Sequence, residues 1–422
     1  MATDFWSSTH YKRWLMDRAT IRQARADDLQ YVDDPEYFTY FSLFFANVVT
    51  KLGRKLLFKQ RVIATAIVFF RRFYLKNSYC ETDPFIVIAA CCYVAGKAEE
   101  SPMHIKNVAA EARLLFSQHP FGIKSFPPDN SKLAEMEFYL VADLECDLTV
   151  FHPYRTLMAL CRKEGSALSL TEAGEVGVGI DDGPRYWGTG DGQLELPEDA
   201  VQLAWSIISD MYRSDLCLVH PPHLLAITAL YLTLVLHAPT REQIKQKPHS
   251  AISDESHTSP RRSSRQASAS SLGSTKKPQD FIGFFAGLNV SMPLIATIAQ
   301  EVISLYSMWE RYKEDTDTSD TARSAFYGQQ TSAQTTRTGS PYSATTQSTS
   351  RVFPGSRSGS HSRVSTPVEG PEDVRRTDVF TPVLMMQTLT RMRESRLADL
   401  VHSTSGRPVA INKMLERAQA AG

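Results

Sequence analysis

The sequence has no surplus of either charge. Its 46 Lys and Arg residues face 46 Asp and Glu, so the formal net charge is 0 and the pI is near 7.2. A protein built around a polyanion needs a basic face, so neither nucleic acid nor an anionic membrane is expected as its main partner. Cysteine is scarce: Cys80, Cys91, Cys92, Cys146, Cys161 and Cys217 form no C-x-x-C pair and have no His at metal-ligand spacing. They read as reduced thiols, most of them in apolar runs of an intracellular protein. No basic-then-apolar leader follows Met1, and the longest apolar runs, 85–96 and 224–236, fall short of the ~20 residues that a bilayer span needs. Phosphate-loop, dinucleotide, zinc-protease and hydrolase-elbow motifs are all missing. The sequence therefore offers no catalytic residue, no cofactor site and no metal site, and is expected to serve no enzyme role of its own.

Strand-like alternation is nearly absent too, and helix follows helix in its place. An N-terminal helix is expected over 8–17, followed by a polar segment up to 34. A helix over 35–51 has Pro35 in its first turn, Asp33 or Asp34 as cap and Gly53 as stop. The next, 58–77, carries Val62, Ile63, Ala66, Ile67, Phe70, Phe73 and Tyr74 on one face and turns Arg61, Arg71 and Lys76 outward. Asp83-Pro84 launches 85–98, apolar nearly all round and so buried on all sides. Helices over 103–116 and 132–146 complete a set of five. The pattern then recurs over 153–163, 197–213, 224–237, 281–288 and 295–311, with Pro221-Pro222 launching a second all-apolar helix.

The expected fold is therefore all-α, with two tandem five-helix repeats at 35–150 and 151–312 behind an N-terminal helix and linker, 1–34. Two low-complexity inserts, the Gly- and Asp-rich 165–196 and the Ser- and Arg-rich 240–279, interrupt the second repeat and are expected to be disordered, as is the tail 313–422. Within that tail, 382–402 has a short amphipathic pattern, with Leu384, Met385, Leu389, Met392 and Leu397 on its apolar side.

Two charges stand where core residues would be expected. Lys97 ends the all-apolar helix of the first repeat, and Glu137 shares a helical stripe with Leu133, Met136, Leu140 and Leu144. A carboxylate there needs a partner. Spacing alone fits an intramolecular Lys97–Glu137 pair at least as well as a pair presented to another protein. His220, His223 and His237 straddle an apolar helix and lack companion ligands, so they read as core or helix-end histidines.

These segments, together with Asp4-Phe5-Trp6, Ser8-Thr9-His10-Tyr11, Val62-Ile63-Ala64-Thr65-Ala66, Phe151-His152-Pro153-Tyr154-Arg155 and Tyr212-Arg213-Ser214-Asp215-Leu216-Cys217, resemble the cyclins, and within them the cyclin C subfamily, the cyclin subunits of the Mediator kinase module. The resemblance covers 4–163 closely and 197–312 more loosely. It implies that each five-helix repeat is a cyclin box and that the first binds a cyclin-dependent kinase through Lys97, Glu99, Glu100, Glu137 and Val141. It also implies a nuclear role in RNA polymerase II transcription, with other Mediator kinase-module subunits as further partners. Trp6 and Asp210 would border a groove for one of them, although a packed Trp and a surface Asp fit those residues nearly as well. The alternatives are another transcriptional or cell-cycle cyclin, or a cyclin-fold transcription factor binding DNA. Against the cell-cycle option, 36–57 has no Met-Arg-x-x-Leu run. Ser259, Ser340, Thr366 and Thr381 each precede Pro and are candidate proline-directed phosphorylation sites.

Overall fold

The computed structural model describes residues 4–124, 126–127, 130–163, 194–245, 280–314 and 379–401. Those up to Lys313 and from Phe380 onward belong to one compact unit. Its first half is built around α6 (Pro84–Ala98). The Asp83 side chain caps this helix by accepting from the Phe85 N–H at 3.1 Å, and Pro84 fills the first turn. With no polar face to offer water, α6 must be surrounded. It packs against α4 (Glu36–Lys55), α5 (Gln60–Tyr74), α7 (Ile105–Ser117) and α8 (Ser131–Asp143). Phe85, Ile88, Cys91 and Ala95 are buried at this centre.

The second half repeats the plan around α12 (Pro222–Leu236), which packs against α9 (Pro153–Leu160), α10 (Glu198–Met211) and α15 (Met292–Glu310). Short helices fill the connections: α1 (Thr9–Trp14), α2 (Arg18–Gln23), α3 (Ala26–Leu29), α11 (Leu216–Val219), α13 (Ala238–Lys245) and α14 (Phe281–Ala286). The last helix among the described residues, α16 (Pro382–Val401), lies along α4. The all-α expectation holds, with one small exception among the described residues. Strands β1 (Cys161–Lys163) and β2 (Leu194–Leu196) pair in parallel.

That strand pair enters the stretch assigned to the Gly-rich insert, because Leu194 and Leu196 are buried beside Cys161 and Leu160. Likewise α13 extends into the stretch assigned to the second insert. The polar segment 18–34 holds α2 and α3, the first capped by the Asp17 side chain, which accepts from the Thr20 N–H at 2.6 Å. Gly53 does not stop α4. It lies within the helix, where a Cβ would come 2.6 Å from Ile63 Cγ1, so its role is close approach of α4 to α5. The chain turns instead at Leu57, with φ 58°. Arg71 is not turned outward: it is 6 % exposed, donates to the Tyr212 carbonyl at 2.9 Å and pairs with Asp215 at 2.6 Å. Cys146 is exposed rather than in the core, while the described cysteines are all free thiols. Burial pushes the Cys92 and Cys161 thiols up to about 12.

Candidate partner-binding rim

Helix α6 and helix α8 meet along the stripe expected from sequence, with Leu133, Met136, Leu140 and Leu144 buried. Glu137 sits at the edge of that stripe with a 24 % exposed side chain, and Lys97, at 43 %, reaches across from the last turn of α6 to form an ion pair with it. The ammonium also lies over the Tyr93 ring, 4.2 Å from its centroid. Tyr93 is one turn before Lys97, so the same helix supplies the charge and the aromatic face that holds it. A pair this exposed contributes about 0.2–1 kcal/mol to folding. The apolar stripe beneath it, not the pair, joins α6 to α8.

The end of α6 is shaped by contact. Gly96 has no room for a side chain, because a Cβ would meet Phe58 at 3.0 Å and the Ser101 carbonyl at 3.1 Å. Glu100 then takes a left-handed φ of 52° and stays exposed. Glu99 turns the other way. Its side chain is 11 % exposed, paired with Arg61 at 2.6 Å and accepting from the Thr65 hydroxyl at 2.6 Å. His152 Nε2 stands 2.7 Å from the same hydroxyl, and His152 Nδ1 stands 2.5 Å from the Tyr212 hydroxyl.

One proton arrangement satisfies every group: Tyr212 donates to Nδ1, Nε2–H donates to Thr65, and Thr65 donates to Glu99. Burial holds His152 below its ordinary pKa against the pull of Glu99, which keeps the ring neutral as this chain requires. Burial works against the Glu99 carboxylate, but hydrogen bonding from His152 and Thr65 and the Arg61 charge outweigh it and hold its pKa down. Beside this network lies a small cleft of about 260 Å³ lined by Arg61, Glu99, His152 and Arg155 among others.

Lys97, Glu100, Glu137 and half-buried Val141 therefore share the end of α6 and the outer side of α8, whereas Glu99 is committed to an inner network. Three rim residues were not singled out from the sequence. Phe138 is 76 % exposed and Tyr139 39 %, with their rings 6.3 Å apart, and Leu57, whose neighbour Phe58 packs on Gly96, is 90 % exposed. The signal for Phe138 was present: an aromatic residue one step off the buried stripe must face solvent.

Trp6 and Asp210 are each engaged within the fold. Trp6 packs edge-on to Tyr11 at 4.7 Å and lies 5.6 Å from the His223 ring at the start of α12. Asp210 accepts from Arg213 at 3.0 Å and from the Tyr306 hydroxyl of α15 at 3.1 Å. The larger cleft, of about 570 Å³, lies between the N-terminal helices and α15, and neither residue lines it. Burial lowers the pKa of His223 to about 3, so it stays neutral, while His237 ends α12 and contacts Asp199 at 3.1 Å. Ser259, Ser340 and Thr366 lie outside the described residues. Thr381 is described, and its hydroxyl accepts from the Leu384 N–H at 3.2 Å as the cap of α16.

Four helices around a nearly all-apolar fifth, with a charged pair at the edge, define a class. Residues 26–149, from α3 to the segment after α8, match the family model described as the cyclin N-terminal domain. A protein of Mycosarcoma maydis described as an RNA polymerase II holoenzyme cyclin-like subunit is 36 % identical over 356 residues, covering 73 % of this chain and 90 % of that one. A protein of Emericella nidulans with the same description is 30 % identical over 332 residues, 74 % of this chain and 94 % of that one. The chain belongs to this family of cyclins. Its likeness to a chain in the solved CAK complex of Chaetomium thermophilum is looser, at 18 % identity and a TM-score of 0.39 over 57 % of this chain and 70 % of that one.

Proposed function

We propose that this protein is the regulatory cyclin subunit of a cyclin-dependent kinase of the Mediator kinase module and that it acts in the nucleus on RNA polymerase II transcription. The observation that carries this reading is the half-exposed Lys97–Glu137 pair, held at the edge of a cyclin box beside solvent-facing Phe138 and Tyr139. A polar pair flanked by exposed aromatic side chains has the make-up of a protein–protein hot spot. Val141 and Glu100 would extend the contact. Glu99 would act from behind, fixing the rim through Thr65 and His152.

The catalytic groups in this scheme belong to the partner. A protein kinase needs its strand lysine paired with the glutamate of a mobile helix before ATP is properly held. A cyclin that binds only the arrangement with this helix docked inward raises its population by its differential affinity for the two states. Residues 151–312 would form the second cyclin box, and the side carrying Trp6 and Asp210 would meet another Mediator kinase-module subunit. Thr381, with the other Ser/Thr-Pro sites, would be open to phosphorylation by the bound kinase.

The test is co-purification of kinases from extract with the wild-type chain and with Lys97→Ala/Glu137→Ala, followed by phosphorylation of a polymerase C-terminal repeat peptide. The wild type should bring down a kinase and its activity, and the double variant should lose both while keeping its circular dichroism spectrum. A folded double variant that retains the kinase undiminished makes the pair structural.

A further inference from the structure

The kinase-binding reading leaves α16 unused. This helix rests on α4 through Met385, Leu389 and Met392, all buried and spaced i, i+4 and i+7. That is the anchor pattern of an amphipathic helix laid in a groove. Just ahead of it, Phe380 stacks on Tyr40 with ring centroids 3.6 Å apart at 10° and meets Tyr37 edge-on at 5.4 Å. Around this apolar middle, Arg391 pairs with Asp33 at 3.1 Å on one flank, Arg393 approaches Asp83 at 4.0 Å on the other, and Arg396 pairs with Glu81. The three carboxylates come from the segments that precede α4 and α6.

An apolar middle with a rim of opposite charges has the build of an interface. Asp33 keeps an 83 % exposed side chain and Arg391 55 %, so that end of the rim is open to salt, while Arg396, at 17 %, is more enclosed. Methionine anchors adapt to their seat without specifying one rigid fit. The outer side of the helix stays in solvent, with Leu397 62 % and Val401 80 % exposed. The start of the segment is fastened to the end of α15, since the Lys313 N–H donates to the Phe380 carbonyl at 2.8 Å and the Phe380 N–H to the Arg311 carbonyl at 2.9 Å. Because the segment belongs to the same chain, its seating is an intramolecular event with a raised effective concentration. Even a weak affinity for the seat is then enough to fill it.

We propose that this face of the first box is a docking site for basic amphipathic helices and that segment 380–401 is its detachable occupant in cis. While seated, the segment closes the face to other helices of the same pattern. Released, it opens the face.

The test uses the full chain and a fluorescent synthetic peptide of residues 380–401, with no kinase present, so it is independent of the function proposed above. Hydrogen exchange on the wild type should show α16 amides exchanging at least about a hundredfold faster than those of α5 and α6, and faster still as salt rises. Protection of α16 equal to that of α6 would make it an integral part of the core and overturn the proposal. Met385→Asp/Leu389→Asp/Met392→Asp should then vacate the seat. The peptide should bind this folded variant, bind the wild type at least about tenfold more weakly, and fail to bind when Asp33→Arg/Glu81→Arg is added. No binding to the vacated, folded chain overturns the proposal as well. If the vacating variant does not fold, the exchange result on the wild type decides.

Discussion

Two carboxylates near the end of α6 live in opposite circumstances. Glu137 pairs with Lys97 at the surface, where water already solvates both partners and the net gain is small. Glu99 is sealed into a chain of hydrogen bonds through Thr65, His152 and Tyr212 that ties the first box to α10 of the second half. The exposed pair is easily given up to another protein, because little folding energy depends on it. The buried network is not, because removing one member leaves the others desolvated without partners. On the proposed reading, a single helix end thus separates the residues offered to a partner from the residues that hold them in place.

The comparison is broken most strongly on the binding side. Lys97→Ala/Glu137→Ala should weaken kinase capture by about 2–4 kcal/mol, the range of interface hot spots, while the urea midpoint of the chain alone stays nearly unchanged. Parallel pull-down titrations and urea melts measure the two effects on one preparation. Glu99→Ala should do the reverse. It should lower stability by about 1–3 kcal/mol in urea melts, with a smaller loss of capture through the displaced rim.

Acid should act on the inner side before the outer. His10, His152 and His223 are held below their ordinary pKa of 6.5, chiefly by burial. The folded protein keeps them neutral, so the unfolded chain binds protons first as pH falls below 6.5. Stability is then lost at about 1.4 kcal/mol per pH unit for each such histidine until its folded pKa is reached. Glu99, also held low, adds its loss only below its ordinary 4.5. Urea midpoints at pH 7.5, 6 and 5 measure the first slope, and His223→Phe should make it shallower. The smallest effect sharpens the comparison: Phe138→Ala should leave stability within about 0.5 kcal/mol and weaken capture by about 1 kcal/mol, measured in the same two assays.

The helices were legible because periodic apolar residues and capping residues are local signals. Asp83-Pro84 starts α6 as its sequence indicates, and the stripe of α8 places Glu137 at the edge of a buried seam. What depended on distant partners was not legible. Arg71 looks like a surface residue of α5 until Asp215 and the Tyr212 carbonyl, far along the chain, are brought to it. Gly53 looks like a helix stop, since periodicity does not show that Ile63 presses against it. Glu99 and Glu100 look equivalent as neighbours, yet the left-handed turn at Glu100 sends one inward and leaves the other outside. In α16, Met385, Leu389 and Met392 took the buried side as their spacing requires, whereas Leu397, beyond the contact with α4, remained in solvent.

The most direct test of the account is the dissociation constant of the co-purifying kinase for the wild type and for Lys97→Ala/Glu137→Ala, read beside the unfolding free energy of each chain. The account predicts a rise in dissociation constant of about a hundredfold, or ~2.7 kcal/mol, at unchanged stability. An unchanged dissociation constant with a clearly destabilised fold would contradict it and return the pair to the core.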